Sequence, residues 1–260
     1  MSKSSGMASQ FSRLHWSKQL DKKVHGGLIV RMTSHAILRE RMVEIGRRLY
    51  DQGLIAAADG NISCRLPDGK VLITPSGKAK GRLSPDDLVI IDLSGKVVAG
   101  SHDPSSEYKM HTAFYTVRDN IRAVVHAHPV YCTAYAVAGM DLVQPILPEV
   151  LLSIGEIPLA EYGAPSTSEL AASIERLARD HDTILLRSHG LVAAGSDLEE
   201  AYNKIELAEH FAKVLHAAEA IGGARSLSDQ QVEALILLKR SQKRESTDHP
   251  AVRQTSGRKE

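Results

Sequence analysis

Residues 124–130 read VVHAHPV, which places two histidines two positions apart in an apolar run that ends at a proline. Alternate residues of a β-strand lie on the same face, so His126 and His128 project together and Ala127 projects to the other side. Pro129 interrupts the ladder of hydrogen bonds and ends the strand beside them. Two imidazoles placed in this way can bind one divalent metal ion. A pair of hydrogen-bonded structural histidines at a strand end would show the same sequence pattern.

A third histidine ends another apolar strand. The segment TILLRSHG (183–190) runs to His189, and Gly190 provides a turn. A catalytic metal site typically has three protein ligands and one open position, which His126, His128 and His189 would supply. Zn²⁺ suits three nitrogens and a carboxylate, and Mn²⁺, Co²⁺ or Fe²⁺ also fit such a set.

A carboxylate lies at the start of a predicted helix in DPSSEYKMH (103–111). Glu107 directly follows Ser105 and Ser106, one of which we expect near the N-cap. A carboxylate close to a metal acts as a fourth ligand or as a general base, whereas alone it would be an ordinary acid in a first helical turn. His111 lies one turn further along and is not assigned as a ligand.

Three polar turns offer hydrogen-bond donors without bulky side chains: DGNIS (59–63), TPSG (74–77) and the two serines before the glutamate. Backbone N–H groups and hydroxyls at such turns, together with a helix N-terminus, can bind a phosphate dianion. Each turn alone is ordinary, but their combination with a metal set indicates a phosphorylated substrate. The predicted phosphate-binding residues are Gly60, Asn61, Ser76, Gly77, Ser105 and Ser106.

The composition is that of an ordinary globular domain. The chain has 260 residues and a net charge of +1, which gives no electrostatic reason to expect nucleic acid or a membrane surface as a partner. No apolar run approaches the roughly 20 residues of a membrane span, and the first residues lack the apolar core of a secretory signal. Two cysteines, Cys64 and Cys132, do not form a disulfide framework. We therefore expect a cytoplasmic protein with reduced thiols.

Hydrophobic periodicity predicts an α/β domain. Short β-rich runs with Gly-containing turns predict hairpins, and hairpins mixed with helices favour a largely antiparallel sheet. We expect the domain at 29–240, after a flexible N-terminal arm at 1–28 and before a disordered polar tail at 241–260. The predicted helices cover 32–53 with Thr33 or Ser34 as N-cap, 105–118, 131–139, 167–180, 198–221 and 228–238.

Taken in order, these motifs resemble the class II aldolase/adducin family, and most closely its L-fuculose-1-phosphate aldolase branch. The matching motifs are GN-x-S (60–63), TPSG (74–77), PSSE (104–107), H-x-H-P (126–129) and HG (189–190), and the likeness extends over roughly 32–240. The resemblance implies a three-layer domain in which a central, mainly antiparallel sheet lies between helices. It also implies a homotetramer with active sites at subunit boundaries.

The resemblance assigns roles to individual residues. His126, His128 and His189 match the metal ligands, and the six polar-turn residues match the phosphate contacts. Glu107 matches an acid–base residue that also touches the metal when substrate is absent. Tyr162, in IPLAEYGAP (157–165), matches less closely a tyrosine that acts as a proton donor in the site of a neighbouring subunit.

The expected activity is the reversible aldol cleavage of a phosphorylated ketose to dihydroxyacetone phosphate and an aldehyde. Glutamate at position 107 favours this reaction, because the related pentulose-phosphate 4-epimerases carry aspartate there. The fuculose enzyme closes its site with a tyrosine of the C-terminal tail, and no tyrosine follows Tyr202 here, which leaves the sugar open. Epimerisation, dehydration or decarboxylation on the same scaffold remain alternatives, as does a non-catalytic module like the adducin head.

Overall fold

A computed structural model describes residues 26–248, and within them eight strands form one sheet. The spatial order is β4-β3-β2-β1-β5-β8-β7-β6, and each neighbouring pair is antiparallel except β6 and β7. The mainly antiparallel sheet predicted from the sequence is therefore confirmed. The strands are β1 (Asn61–Arg65), β2 (Val71–Ile73), β3 (Val89–Ile91), β4 (Val97–Ala99), β5 (Ala123–Ala127), β6 (Leu159–Ala160), β7 (Thr183–Leu186) and β8 (Gly190–Gly195).

Seven α-helices are described, along with two short 3₁₀ turns at Lys80–Arg82 and Pro85–Asp87. In the part of the chain from 26 to 248, none of these helices is long and apolar enough to cross a membrane. The helices are α1 (Gly26–Asp51), α2 (Tyr108–Val117), α3 (Val130–Ala138), α4 (Pro148–Ser153), α5 (Ser168–Leu177), α6 (Leu198–Ala220) and α7 (Asp229–Asp248).

The sheet separates two apolar cores, as the alternation of strand side chains requires. Along β5, Val125 and Ala127 face a core that includes residues of α1, α3 and α6. Val124 faces the opposite core, which includes residues of α2 and α5. Helices on both sides of one sheet make the three-layer arrangement that the resemblance implied.

The helix boundaries differ from the sequence prediction at both ends of the described chain. Helix α1 begins at Gly26 rather than at residue 32, so Thr33 and Ser34 lie inside the helix and are not its N-cap. Helix α7 continues to Asp248, ten residues beyond its predicted end, because a polar run of good helix formers can extend a helix without apolar periodicity. The rest of the predicted arm and tail, 1–25 and 249–260, lies outside the described residues.

Strand β8 was not predicted from the sequence. Its residues, GLVAAG (190–195), are buried on both faces and therefore show no alternation of polar and apolar residues. This strand pairs with β5 and β7 and joins the two histidine-bearing segments into one sheet.

A group of charged side chains, here called the ionic cluster, ties α6 to the sheet and to the end of α2. The Lys204 ammonium is 5% exposed and donates to Asp182 at 2.7 Å, to Glu200 at 2.8 Å and to the Ala194 carbonyl at 3.0 Å. Arg118, which follows α2, pairs with the other oxygen of Asp182 at 2.5 Å. The ammonium thus joins three parts of the chain, and its removal would leave three acceptors without their shared donor.

Candidate metal centre and active site

The fold brings the three predicted metal ligands together. His126 lies on β5 and is fully buried, and His128 follows the end of that strand. His189 lies in the tight turn between β7 and β8, and not at a strand end as the sequence indicated. The centroids of the three rings are 4.7 to 5.0 Å apart, and one nitrogen from each lies within 4.8 Å of the others.

One hydrogen bond and one ion-pair contact outside the cluster orient two of the rings. His126 Nδ1 donates to the Leu191 carbonyl at 2.9 Å, which leaves the lone pair of Nε2 facing His128 Nε2 at 2.9 Å. His128 Nδ1 faces the Asp59 carboxylate at 3.4 Å, which is an ion-pair contact. Burial lowers the pKa of His126 well below its usual value, and the neighbouring histidines lower it further, so the ring is neutral and its lone pair can bind a cation.

Glu107 completes the set with a carboxylate. Its Oε2 lies 3.5 Å from His126 Nε2, and its Oε1 lies 3.3 Å from His189 Nε2. Among the residues described, four buried side-chain polar atoms lack a hydrogen-bond partner, and two of them are Glu107 Oε1 and His189 Nδ1. A buried carboxylate oxygen without a donor, next to three imidazoles, fits a bound divalent cation.

Two glycines allow the loops to approach the histidines. Gly60 has a φ of +71°, and a Cβ there would lie 2.8 Å from the His126 carbonyl oxygen and 2.7 Å from Ile55. A Cβ on Gly190 would lie 2.7 Å from the His128 ring and 2.6 Å from the Ala127 carbonyl. Any larger residue would therefore push a loop away from the metal ligands.

The polar turns and the metal ligands share one cleft of about 230 Å³. Two of the histidines, His128 and His189, and Glu107 line it together with all six residues predicted to bind phosphate: Gly60, Asn61, Ser76, Gly77, Ser105 and Ser106. The serines precede α2 as expected, but Glu107 occupies the N-cap position, and the Ser105 hydroxyl accepts the Glu107 N–H at 3.3 Å. Donors for an anion thus face the same space as the ligands for a cation.

Residues that the sequence analysis missed also line the cleft: Ala58, Asp59, Lys80, Pro165 and Ser166. The Lys80 ammonium is buried and donates to the Ala58 carbonyl at 2.6 Å. Burial lowers the pKa of Lys80, whereas Asp59 and Glu107 raise it. Asp59 directly precedes the GN motif, and this position could have indicated its place in the cleft. Nothing in the sequence around Lys80 indicates that this lysine is buried.

Tyr162 is not among the residues that line the cleft. It lies in the loop after β6, and 64% of its surface is exposed. Within this chain the structure therefore does not bring Tyr162 to the metal ligands.

A larger groove of about 850 Å³ lies along α6, away from the histidines. Its lining is rich in carboxylates, including Asp197, Glu199 and Glu206. The groove lacks the convergence of imidazoles and anion donors that marks the smaller cleft, so we place the candidate site in the cleft.

Comparison with known proteins agrees with this architecture. Residues 40–216 match the family described as Class II Aldolase and Adducin N-terminal domain. The chain belongs to this family. It is similar to 3-oxo-tetronate 4-phosphate decarboxylase of Haemophilus influenzae, with 33% identity over 76% of this chain and 95% of that protein. It is equally similar to an L-fuculose phosphate aldolase of Methanococcus vannielii, with 35% identity over 68% of this chain and 94% of that one.

Solved structures of the class II aldolase family show the same fold. A structure of L-fuculose 1-phosphate aldolase superimposes with a TM-score of 0.72 and 30% identity, covering 76% of this chain and 93% of that chain. The family and the three-layer fold expected from the motifs are thus confirmed, whereas the relatives differ in the reaction that their names give.

Proposed function

We propose that this protein is a divalent-metal-dependent carbon–carbon lyase that releases dihydroxyacetone phosphate from a phosphorylated keto sugar or keto acid. The observation that carries the proposal is the shared cleft. It places His126, His128, His189 and Glu107 beside the polar turns that can hold a phosphate group. We favour Zn²⁺ as the cofactor because three nitrogens and a carboxylate match its preferences, and Mn²⁺, Co²⁺ or Fe²⁺ would also fit.

The polar turns position the substrate. The Ser76 and Ser105 hydroxyls and the backbone N–H groups of Gly77 and of the first turn of α2 would bind the phosphate. The buried Lys80 ammonium adds positive charge behind them. A phosphate held in the polar turns, away from the reacting bond, would provide binding energy that orients the substrate carbonyl toward the histidines.

Glu107 would move the proton of the reaction. A divalent ion held by the histidines supplies Lewis-acid stabilisation for the negative charge that develops on the substrate oxygens. When the carbon–carbon bond breaks, its electron pair stays on the fragment that carries the ketone and becomes an enediolate. The Glu107 carboxyl group then protonates the enediolate carbon, and the product is dihydroxyacetone phosphate.

Aldol cleavage and decarboxylation differ only in the group that leaves. A ketose 1-phosphate loses an aldehyde, and the hydroxyl on the departing carbon must give up its proton to a base. A 3-oxo acid 4-phosphate loses CO₂ and needs no such base, yet both leave the same enediolate. Glu107 would serve both reactions. We favour the aldol reaction on the motif resemblance, and Tyr162 from a neighbouring subunit of a homotetramer would be the base that takes the hydroxyl proton.

Decarboxylation is the second candidate, because Tyr162 lies outside the cleft of its own chain and the decarboxylase of H. influenzae is 33% identical. The discriminating experiment measures dihydroxyacetone phosphate release from L-fuculose 1-phosphate, 5-deoxy-D-ribulose 1-phosphate and 3-oxo-tetronate 4-phosphate. Metal-loaded protein is compared with protein stripped by a chelator. Activity on none of the three substrates by the metal-loaded protein would refute the proposal.

The variant Tyr162→Phe separates the two reactions. If the protein is an aldolase, loss of the phenol lowers kcat for the ketose phosphates by roughly 10²-fold, the usual contribution of a positioned acid or base. A decarboxylase retains its rate, because no hydroxyl proton has to be removed. Light scattering of the same preparations determines whether the protein is a tetramer, as this use of Tyr162 requires.

A further inference from the structure

A line of buried polar side chains runs from Glu107 into the core under α2. Asn61 Nδ2 donates to Glu107 Oε2 at 2.8 Å, and Asn61 Oδ1 forms a short hydrogen bond with His111 Nε2. His111 Nδ1 lies 2.7 Å from Ser63 Oγ, which lies 2.7 Å from the Tyr115 hydroxyl. We call these five residues the relay.

The fold brings the relay together from two elements. Asn61 and Ser63 are alternate residues of β1, so their side chains share the face that is covered by α2. His111 and Tyr115 are four residues apart on α2 and therefore share the helix face that packs on that strand. Asn61, Ser63, His111 and Tyr115 are each at most 3% exposed, so water does not compete for their hydrogen bonds.

The direction of each hydrogen bond follows from Glu107. Glu107 Oε2 accepts the hydrogen bond from the Asn61 amide nitrogen, so the amide oxygen must face His111. The amide oxygen also only accepts, so His111 carries its proton on Nε2 and leaves Nδ1 as an acceptor. Ser63 must then donate to His111.

The far end of the relay is consistent with this direction. Because Ser63 donates its one proton to His111, its oxygen accepts from the Tyr115 hydroxyl. Burial raises the pKa of Tyr115 well above its usual value, so this hydroxyl keeps its proton. Burial also lowers the pKa of His111 to about 3, which keeps the ring neutral and lets it accept and donate at the same time.

We propose that His111 is a positioning residue that fixes the amide of Asn61, so that Asn61 always presents N–H groups to Glu107 and to the substrate anion. An asparagine without this partner can rotate its amide by 180° and would then direct its oxygen at the carboxylate, which repels it. The consequence for Glu107 rests on the acid–base role in the proposed function, whereas the orientation of the amide does not.

The orientation is tested by the tautomer of His111. Full-length protein labelled with ¹⁵N in its histidines is studied by long-range ¹H–¹⁵N correlation near pH 7, and the His111 signals are assigned by their loss in His111→Gln. We expect a neutral ring protonated at Nε2, with the same tautomer before and after Zn²⁺ is added. A ring protonated at Nδ1, or at both nitrogens, would overturn the proposal without any use of activity.

A matched pair of variants tests the consequence. His111→Gln places an amide nitrogen where Nε2 lies and keeps the donor to Asn61, whereas His111→Asn ends one bond short and loses it. We expect His111→Asn to have a kcat for the active substrate about tenfold to hundredfold below that of His111→Gln. Co²⁺ affinity, read from its visible absorption, should fall in the same order.

The controls separate this role from a structural one. Both variants are compared at matched fraction folded by circular dichroism, and equal losses of kcat and of Co²⁺ affinity in the two variants would contradict positioning by His111. Inactivity of the wild-type protein on every substrate, together with the Nε2 tautomer and the ordered Co²⁺ affinities, would refute the proposed function and support the positioning role.

Discussion

The ionic cluster and the metal centre are both groups of titratable side chains around a buried residue, Lys204 in one and His126 in the other. They differ in how completely their polar atoms are paired. Lys204 has three acceptors, and both oxygens of Asp182 have cationic partners. At the metal centre, Glu107 Oε1 and His189 Nδ1 have no hydrogen-bond partner. Completely paired charges hold elements of the fold together, whereas unpaired atoms in the same kind of environment indicate a ligand.

The largest expected effect comes from removing a histidine of the metal centre. His126→Ala should lower activity by more than about 10³-fold, because several kcal/mol of charge stabilisation depend on the bound ion. Metal content by atomic emission should fall in parallel, while chemical denaturation of metal-free protein should show a folded domain. A metal-free variant with full activity would contradict the assignment of this centre.

Breaking the ionic cluster should lower the stability of the fold and leave metal binding intact. Lys204→Met leaves Asp182 and Glu200 without their shared cation, and we expect a loss of about 2 kcal/mol in the free energy of unfolding. Metal affinity should not change. Arg179→Met is the matched control, because Arg179, in the turn after α5, pairs with Glu175 at 3.5 Å in an exposed position and should contribute less than about 0.5 kcal/mol.

Lys80 is intermediate between the ionic cluster and the metal centre in how completely its atoms are paired. Its ammonium is buried and donates one hydrogen bond, to the Ala58 carbonyl, although it can donate three. We expect Lys80→Met to weaken the binding of inorganic phosphate about tenfold, which corresponds to one charge-assisted hydrogen bond. Isothermal titration calorimetry on metal-loaded protein measures this affinity. Lys70→Met, on the exposed β1–β2 turn, is the control and should leave phosphate affinity unchanged.

The smallest effect concerns pH. Partial burial raises the pKa of Glu200, but hydrogen bonds from Lys204 and Ser196 outweigh it and lower the pKa to about 2. A carboxyl group with a lowered pKa in the folded state stabilises the protein above its unfolded value near 4.5, and this stability is lost as the pH falls toward 2. Allowing for solvent screening, we expect about 1 kcal/mol over that window by urea denaturation. Lys204→Met should flatten the slope, and an unchanged slope would contradict this source.

The sequence predicted that His126 and His128 lie together because this signal is local. The H-x-H spacing and the strand period place His126 and His128 on one side whatever the rest of the fold does. The relay was not predicted, since it depends on the register of β1 against α2, which brings Ser63 and His111 together across 48 positions. The burial of Lys80 was not predicted either, because it results from the packing of α1 against the 3₁₀ turn that begins at Lys80.

Cleft residues differ in how well they tolerate substitution, and the close packing at two glycines sets the limit. At Gly60 and Gly190 there is no room for even one methyl group, so neither glycine next to the histidines can be replaced without moving the backbone. Gly77 has open space where a Cβ would lie, although its φ of +70° still favours glycine. Efforts to change what the cleft accepts should therefore vary Pro165 and Ser166, which also line it, and leave Gly60 and Gly190 unchanged.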